Sequence, residues 1–201
     1  MAPVDSPPMR DLLVACRPSQ WAKNLLVFVP LLAAHGPFDR ARVLAAVLAF
    51  ASFCLVASSV YLASDVRDRA ADRTHVAKRQ RPIADGRIAP RVALAASLIL
   101  LLAGLAVAWL ALPCSAALSV VLYVILAAAY TLVLKRVLLV DVFVLSALYG
   151  VRLLAGGEST HTPLSPWLVA LSGFLFLSLA FLKRYGELRT EEHTSELQSP
   201  V

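Results

Sequence analysis

Asp65, Asp68 and Asp72 stand at offsets of three and four within one charged loop, 64–90, which reads SDVRDRAADRTHVAKRQRPIADGRIAP. On a helical turn this spacing puts all three carboxylates on one face. Like charges that close repel unless a cation sits between them. A hard, oxygen-rich cluster of this kind suits Mg²⁺, which takes one or two carboxylates and completes its shell with substrate phosphates. Lys78, Arg79 and Arg81 follow in the same loop. Their charge suits the remaining phosphate oxygens, and Arg meets them bidentately. The loop thus reads as a metal–diphosphate site. From the residues alone a second reading stays open, a solvated loop whose aspartates pair with Arg67, Arg69 and Arg73. His75 is read as an ordinary loop residue.

The elements around this loop are membrane-grade. Of 201 residues, 59% are hydrophobic and only 16% charged, with mean hydropathy +0.74; a soluble domain carries about 25% charged residues. The composition predicts an integral membrane protein. The net charge of +6 then points to cytoplasmic loops and anionic headgroups. No basic stripe interleaved with aromatics points to nucleic acid. Cys16, Cys54 and Cys114 show no metal-ligand spacing and read as small apolar residues. The start, MAPVDSPPMRDLL, lacks the basic and apolar regions of a cleaved signal peptide.

Six apolar runs follow a polar, Pro-rich interfacial segment at 1–20. The first, 21–34, is short and spans only with help from its Trp and Lys flanks, or enters the bilayer obliquely. The others cover 43–63, 92–112, 115–134, 137–155 and 166–182, with Gly156–Gly157 closing the fifth and Lys183–Arg184 ending the sixth. Lys135–Arg136 and Lys183–Arg184 fall on the same side as the charged loop, while the turns near 113 and 158–165 carry almost no charge. The positive-inside rule therefore puts the N-terminus and the charged loops in the cytoplasm. His161, on the far side, is read as a loop residue. The chemistry-competent residues all face one side, whereas a transporter places polar groups at mid-membrane in both halves.

Asp141 and Arg152 interrupt the fifth run. Eleven residues is three helical turns, so they fall on nearly one face. Intramembrane charges are functional candidates by default, although an ion pair or snorkelling also accounts for them. Asp141 is near the cytoplasmic end and is expected to reach the same mouth as Asp65. Tyr61, Tyr130 and Tyr149 face either a cavity or the interface.

Four stretches resemble the UbiA superfamily of membrane prenyltransferases: RPSQWAKNLLVFVPLL, SSVYLASDVRDRAADRTHVAKRQRPIADG, YTLVLKRVLLVDVFVLSALYGVRLLAGG and LSLAFLKRYGEL. Together they cover about 16–188. They look closest to the branch that transfers a phosphoribosyl group to a polyprenyl phosphate. The resemblance implies an all-α, polytopic membrane helical bundle of nine spans, about six of them in this chain. It implies Mg²⁺ held by Asp65, Asp68 and Asp72, with these and Asp141 as catalytic residues. It implies substrate contacts from Ser64, Lys78, Arg79, Arg81, Lys23, Asn24, Arg152 and Lys183. The expected reaction is Mg²⁺-dependent transfer of a polyprenyl group from its diphosphate to an acceptor; the alternative is transfer from phosphoribosyl diphosphate to a polyprenyl phosphate. The expected partners are that lipid, the second diphosphate, and the inner membrane, with no nucleic acid. Ser64 stands where the family motif has Asn, and Val76 where it has Pro.

Residues 21–190 are thus expected to form a partial UbiA-like domain. The tail does not match: EEHTSELQSP, within 191–201, resembles a translated sequencing adapter and is expected to be artefactual. A non-catalytic lipid-binding protein is the competing class. Headgroup binding uses the basic residues but gains nothing from three aspartates on one face.

Overall fold

The computed structural model describes residues 8–34, 39–134 and 138–196. Among them every regular element is a helix. In order these are α1 (Pro8–Ala15), a 3₁₀ helix (Pro18–Phe28), α2 (Val29–Ala33), α3 (Arg40–Arg67), α4 (Arg69–Thr74), a 3₁₀ turn (Lys78–Gln80), α5 (Pro82–Asp85), α6 (Pro90–Ala111), α7 (Cys114–Leu132), α8 (Leu138–Ser159) and α9 (Pro166–Glu196). Prolines 82, 90 and 166 each begin a helix. There the missing N–H is no loss and the ring fixes φ in advance. Asp39 caps α3 by accepting from the amide of Ala41, as short acidic residues do at helix starts. Gly86 ends α5 at φ +90°, a left-handed conformation that glycine adopts without strain.

Among the described residues four helices are long and apolar enough to cross a membrane: α3, α6, α7 and the Val140–Ser159 part of α8; Pro166–Leu182, in α9, is a shorter apolar stretch. Their outward faces carry large exposed apolar side chains such as Leu98, Leu102, Leu118, Ile125 and Leu175. Such a surface is adapted to lipid rather than water. The inner faces use small residues, as membrane helices do when close approach replaces hydrophobic drive. Ala49, Ala57, Ala108, Ala116, Ala117, Ala127 and Ala155 line a core with Phe53, Val56, Val120 and Tyr123. Gly104 lets α6 lie against Val56 and the Ser52 carbonyl of α3. Ser52 returns a hydrogen bond to the Gly104 carbonyl at 2.8 Å. The rings of Phe53 and Tyr123 meet edge to face at 5.2 Å.

Two expectations are corrected. The run at 21–34 is no α-helical span: it folds as the 3₁₀ helix and α2, packed between α3 and α8. Pro30, inside the run, has no N–H to donate and so interrupts a continuous α-helical ladder. Gly156–Gly157 does not close the fifth run, because α8 continues through both to Ser159. A Cβ at Gly156 would lie 2.1 Å from the Val27 carbonyl oxygen, so these glycines serve close packing. The sixth apolar run ends at Leu182, just before Lys183–Arg184, while the helix that carries it, α9, continues to Glu196. Lys135 and Arg136, read as topology determinants, lie outside the described residues.

Candidate functional site

The last turns of α3 carry Tyr61, Ser64 and Asp65 on one side, and the helix breaks at Asp68, φ −86° and ψ 4°. Asp68 then begins α4, which carries Asp72. The three aspartates therefore do not occupy one continuous helix. They come together because the chain turns at Asp68 and because the returning loop supplies a cation. Arg81 precedes Pro82, which restricts it to extended backbone, and it sits at φ −62° and ψ 139°. Its Nη1 donates to Asp65 Oδ1 at 3.2 Å and to Asp72 Oδ2 at 2.7 Å. Asp65 and Asp72 are buried, at 3% and 4% exposure, so this shared guanidinium offsets charge that water does not reach. Asp68 sits nearer the surface and pairs with Arg67 at 3.2 Å.

Arg69 and Arg73, alternative partners for the aspartates by sequence, instead donate to the backbone carbonyls of Ile83 and Ala84 at 3.2 and 2.9 Å. They tie α4 to α5 and so hold Arg81 in place.

A second cation arrives from the N-terminal segment. Arg17 donates from Nη2 to Asp65 Oδ1 at 2.5 Å and lies over the Tyr61 ring at 5.1 Å. Its φ of +53° is unusual for a residue with a side chain and marks a constrained turn. The next element is anchored close by: Trp21 donates to Ser58 Oγ, and that hydroxyl donates to the Cys16 carbonyl, both at 3.1 Å. Burial pushes the Cys16 thiol up, which fits a packing role.

These residues open on a cavity of about 320 Å³. Ser64, Asp65, Asp68 and Asp72 line it, as do Arg17, Lys23, Lys78 and Arg81. Its walls continue along α7 and α8 past Thr131, Tyr130 and Tyr149 to Tyr123 and Arg152. Tyr61, Tyr130 and Tyr149 all face it. Arg152, 4% exposed, donates to Asn24 Oδ1 at 2.8 Å, to the Tyr123 hydroxyl at 3.0 Å and to the Leu148 carbonyl.

The remaining sequence candidates are placed differently. Asn24 is not on the cavity wall but buried behind it, where it orients Arg152 and donates to Cys54 Sγ at 3.3 Å. Arg79 faces a separate outer cleft with Arg73 and Arg87. Asp141 is 3% exposed, its Oδ1 has no hydrogen-bond partner among the described residues, and it does not line the cavity that holds Asp65. The expected shared mouth is not formed, because Asp141 lies at the start of α8 while the wall begins a turn later at Leu145. The side chain of Lys183 lies outside the described residues. Sequence reading missed Arg17 and Tyr123. The RPSQWAK stretch held the only signal for Arg17, a charge beside a helix-starting proline.

Among the described residues no three His, Cys, Asp or Glu side chains form a ready metal cluster. The donor set nonetheless fits Mg²⁺ with a phosphorylated ligand. Mg²⁺ needs only one or two carboxylates when phosphates and water complete its shell, and Asp65, Asp68 and Asp72 border the same cavity as Lys78 and Arg81. A chain of carboxylates and cations around one opening can hold a diphosphate and neutralise charge on it.

Comparison with known proteins agrees with this architecture. A family model described as the UbiA prenyltransferase family matches residues 25–193. Decaprenyl-phosphate phosphoribosyltransferase of Mycobacterium tuberculosis is 41% identical over 198 residues, covering 95% of this chain and 65% of that one. The protein of the same name from Mycolicibacterium smegmatis is 40% identical over 199 residues, covering 96% of this chain and 62% of that one. The chain thus spans a little under two thirds of the length of these relatives. A solved UbiA homolog from Archaeoglobus fulgidus, bound to DMAPP and Mg²⁺, superposes with TM-score 0.74 at 21% identity, covering 84% of this chain and 61% of that one. At that identity the likeness is one of fold.

Proposed function

This chain belongs to the UbiA prenyltransferase family, and from that premise we propose that its cavity performs a Mg²⁺-dependent transfer in which a diphosphate is displaced by a polyprenyl lipid acceptor. We favour phosphoribosyl diphosphate as the donor and a polyprenyl phosphate as the acceptor. The observation that carries the reading is the ring of Asp65, Asp68 and Asp72 with Arg17, Lys78 and Arg81 around one opening. Two relatives at 40–41% identity that bear the name decaprenyl-phosphate phosphoribosyltransferase support this choice of donor.

In this reaction the bond between the sugar C1 and the diphosphate oxygen breaks, and a lipid phosphate oxygen forms the new bond to C1. The diphosphate departs with the bonding pair. Asp65, Asp68 and Asp72 would hold Mg²⁺, which would supply charge neutralisation to the departing diphosphate. Arg81, Arg17 and Lys78 donate to its other oxygens, and such preorganised donors gain strength where water is excluded. Helices α3, α7 and α8 shield the electron-poor sugar carbon from water. No protein nucleophile is required.

A second reading, transfer of a prenyl group from its diphosphate, is favoured by three tyrosines, Tyr61, Tyr130 and Tyr149, among the residues that line the cavity. Aromatic faces stabilise a passing carbocation.

The charged loops and the N-terminus are assigned to the cytoplasmic face of the inner membrane by their Lys/Arg excess. Helix α1 suits the interface. It buries Asp11 and Ala15 and exposes Met9, Leu13 and Val14. The deciding experiment measures Mg²⁺-dependent diphosphate release in detergent, with phosphoribosyl diphosphate plus decaprenyl phosphate in one arm and a polyprenyl diphosphate plus an aromatic acceptor in the other. Release in the first arm alone supports the favoured reading; release in neither overturns both.

A further inference from the structure

The cavity has cations at two levels. Arg17, Lys78 and Arg81 lie at its mouth with the aspartates. Arg152 lies deeper, beside Tyr123. Along α7 the wall runs from Thr131 to Tyr123, roughly 12 Å of helix at the standard rise.

Arg152 is a buried cation without a counter-ion among the described residues. Its hydrogen-bond partners, Asn24, the Tyr123 hydroxyl and the Leu148 carbonyl, are all neutral. The rings of Tyr123 and Tyr149 lie 4.5 and 5.7 Å from its guanidinium carbon. Asp141, on the same helix, is separated by roughly 16 Å of rise and makes no ion pair with it. An uncompensated charge inside a membrane bundle is costly, and such charges mark places where a ligand supplies the missing sign. The neutral partners fix the guanidinium plane without neutralising it. They engage three of its five N–H donors, which leaves two without a partner among these contacts, on a residue that lines the cavity. A hydrocarbon tail gains nothing at this depth. A phosphate gains both charge and a planar donor pair.

Resting on the diphosphate reading of the mouth, we infer that Arg152, oriented by Asn24 and Tyr123, forms a phosphate-monoester subsite at the deep end of the cavity. It takes a phosphate monoester, separate from the diphosphate at the mouth. Two molecules carry that chemistry, the sugar phosphate of phosphoribosyl diphosphate and the phosphate of the lipid acceptor.

Calorimetric titration of the purified protein with Mg²⁺ tests this with three probes: inorganic diphosphate, phosphoribosyl diphosphate and decaprenyl phosphate. Arg152→Gln should leave inorganic diphosphate affinity within about twofold and weaken one phosphate-monoester probe by roughly tenfold or more, the effect of a lost charge-assisted hydrogen bond. The probe that weakens names the source. If Arg152→Gln does not fold, Arg152→Lys decides. It keeps the charge but loses the fork, so the same selective loss should follow at smaller size. Equal loss of all three probes, or loss of none, overturns the subsite. Wild-type protein that ignores inorganic diphosphate yet loses monoester binding on Arg152→Gln would overturn the diphosphate reading and keep the subsite.

Discussion

Arg81 donates to Asp72 across 2.7 Å, and the same Nη1 reaches Asp65 at 3.2 Å. One loop residue thus decides how two buried carboxylates face a shared cavity. Its position depends on Pro82 behind it and on the α4–α5 clamp made by Arg69 and Arg73.

Removal of that guanidinium leaves Asp65 and Asp72 less compensated and deprives the diphosphate of a donor. Arg81→Gln should lower kcat/KM for the diphosphate donor by roughly 30-fold, within the range of a charged hydrogen bond. The loss should appear in kcat as well as in KM, because the same donor holds the bound diphosphate and its departing form. Steady-state kinetics at saturating Mg²⁺ check this, and an unchanged kcat/KM would remove Arg81 from the site.

Asp65 is held by both Arg17 and Arg81 and is the most constrained carboxylate of the three. Asp65→Asn keeps the shape but gives up the charge that Mg²⁺ requires. Diphosphate release should fall on the order of 100-fold, and more Mg²⁺ should be needed for half-maximal rate. A Mg²⁺ titration of near wild-type form would sink the assignment.

Gly156 has no room for a side chain, because a Cβ would stand 2.1 Å from the Val27 carbonyl oxygen. Gly156→Ala must push the 3₁₀ helix away from α8, and overpacking of this kind costs about 1–3 kcal/mol. The melting temperature in detergent should drop, and Arg152 should lose its Asn24 contact. Gly150→Ala on the same helix, where an added Cβ meets nothing within 4 Å, is the control and should melt at or slightly above the wild-type temperature.

Orientation can be read with single-cysteine labels. His75 and His161 are both exposed, and lie on the two sides that the Lys/Arg distribution distinguishes. An impermeant thiol reagent added outside cells should modify a cysteine at 161 and spare one at 75. The opposite pattern would place the diphosphate site outside the cytoplasm.

The charged loop was legible as chemistry from its residue types alone. Three aspartates and three cations within a few turns keep their proximity in any fold of that loop. The long apolar runs announced α3, α6, α7 and α8 because length and hydropathy suffice for a membrane helix. What the chain could not announce was the rotation of those helices. α6 and α7 are apolar nearly all round, so no stripe tells which face meets a neighbour. The turn at Asp68, the α8 path through Gly156 and the separation of Asp141 from the cavity follow from packing against distant segments. So do the two contacts that complete the site, Arg17 on Asp65 and Arg152 on Asn24, which join residues 48 and 128 positions apart. Local periodicity holds no record of such pairs. Only the assembled bundle, in which small residues let the backbones approach, brings those charges to one cavity.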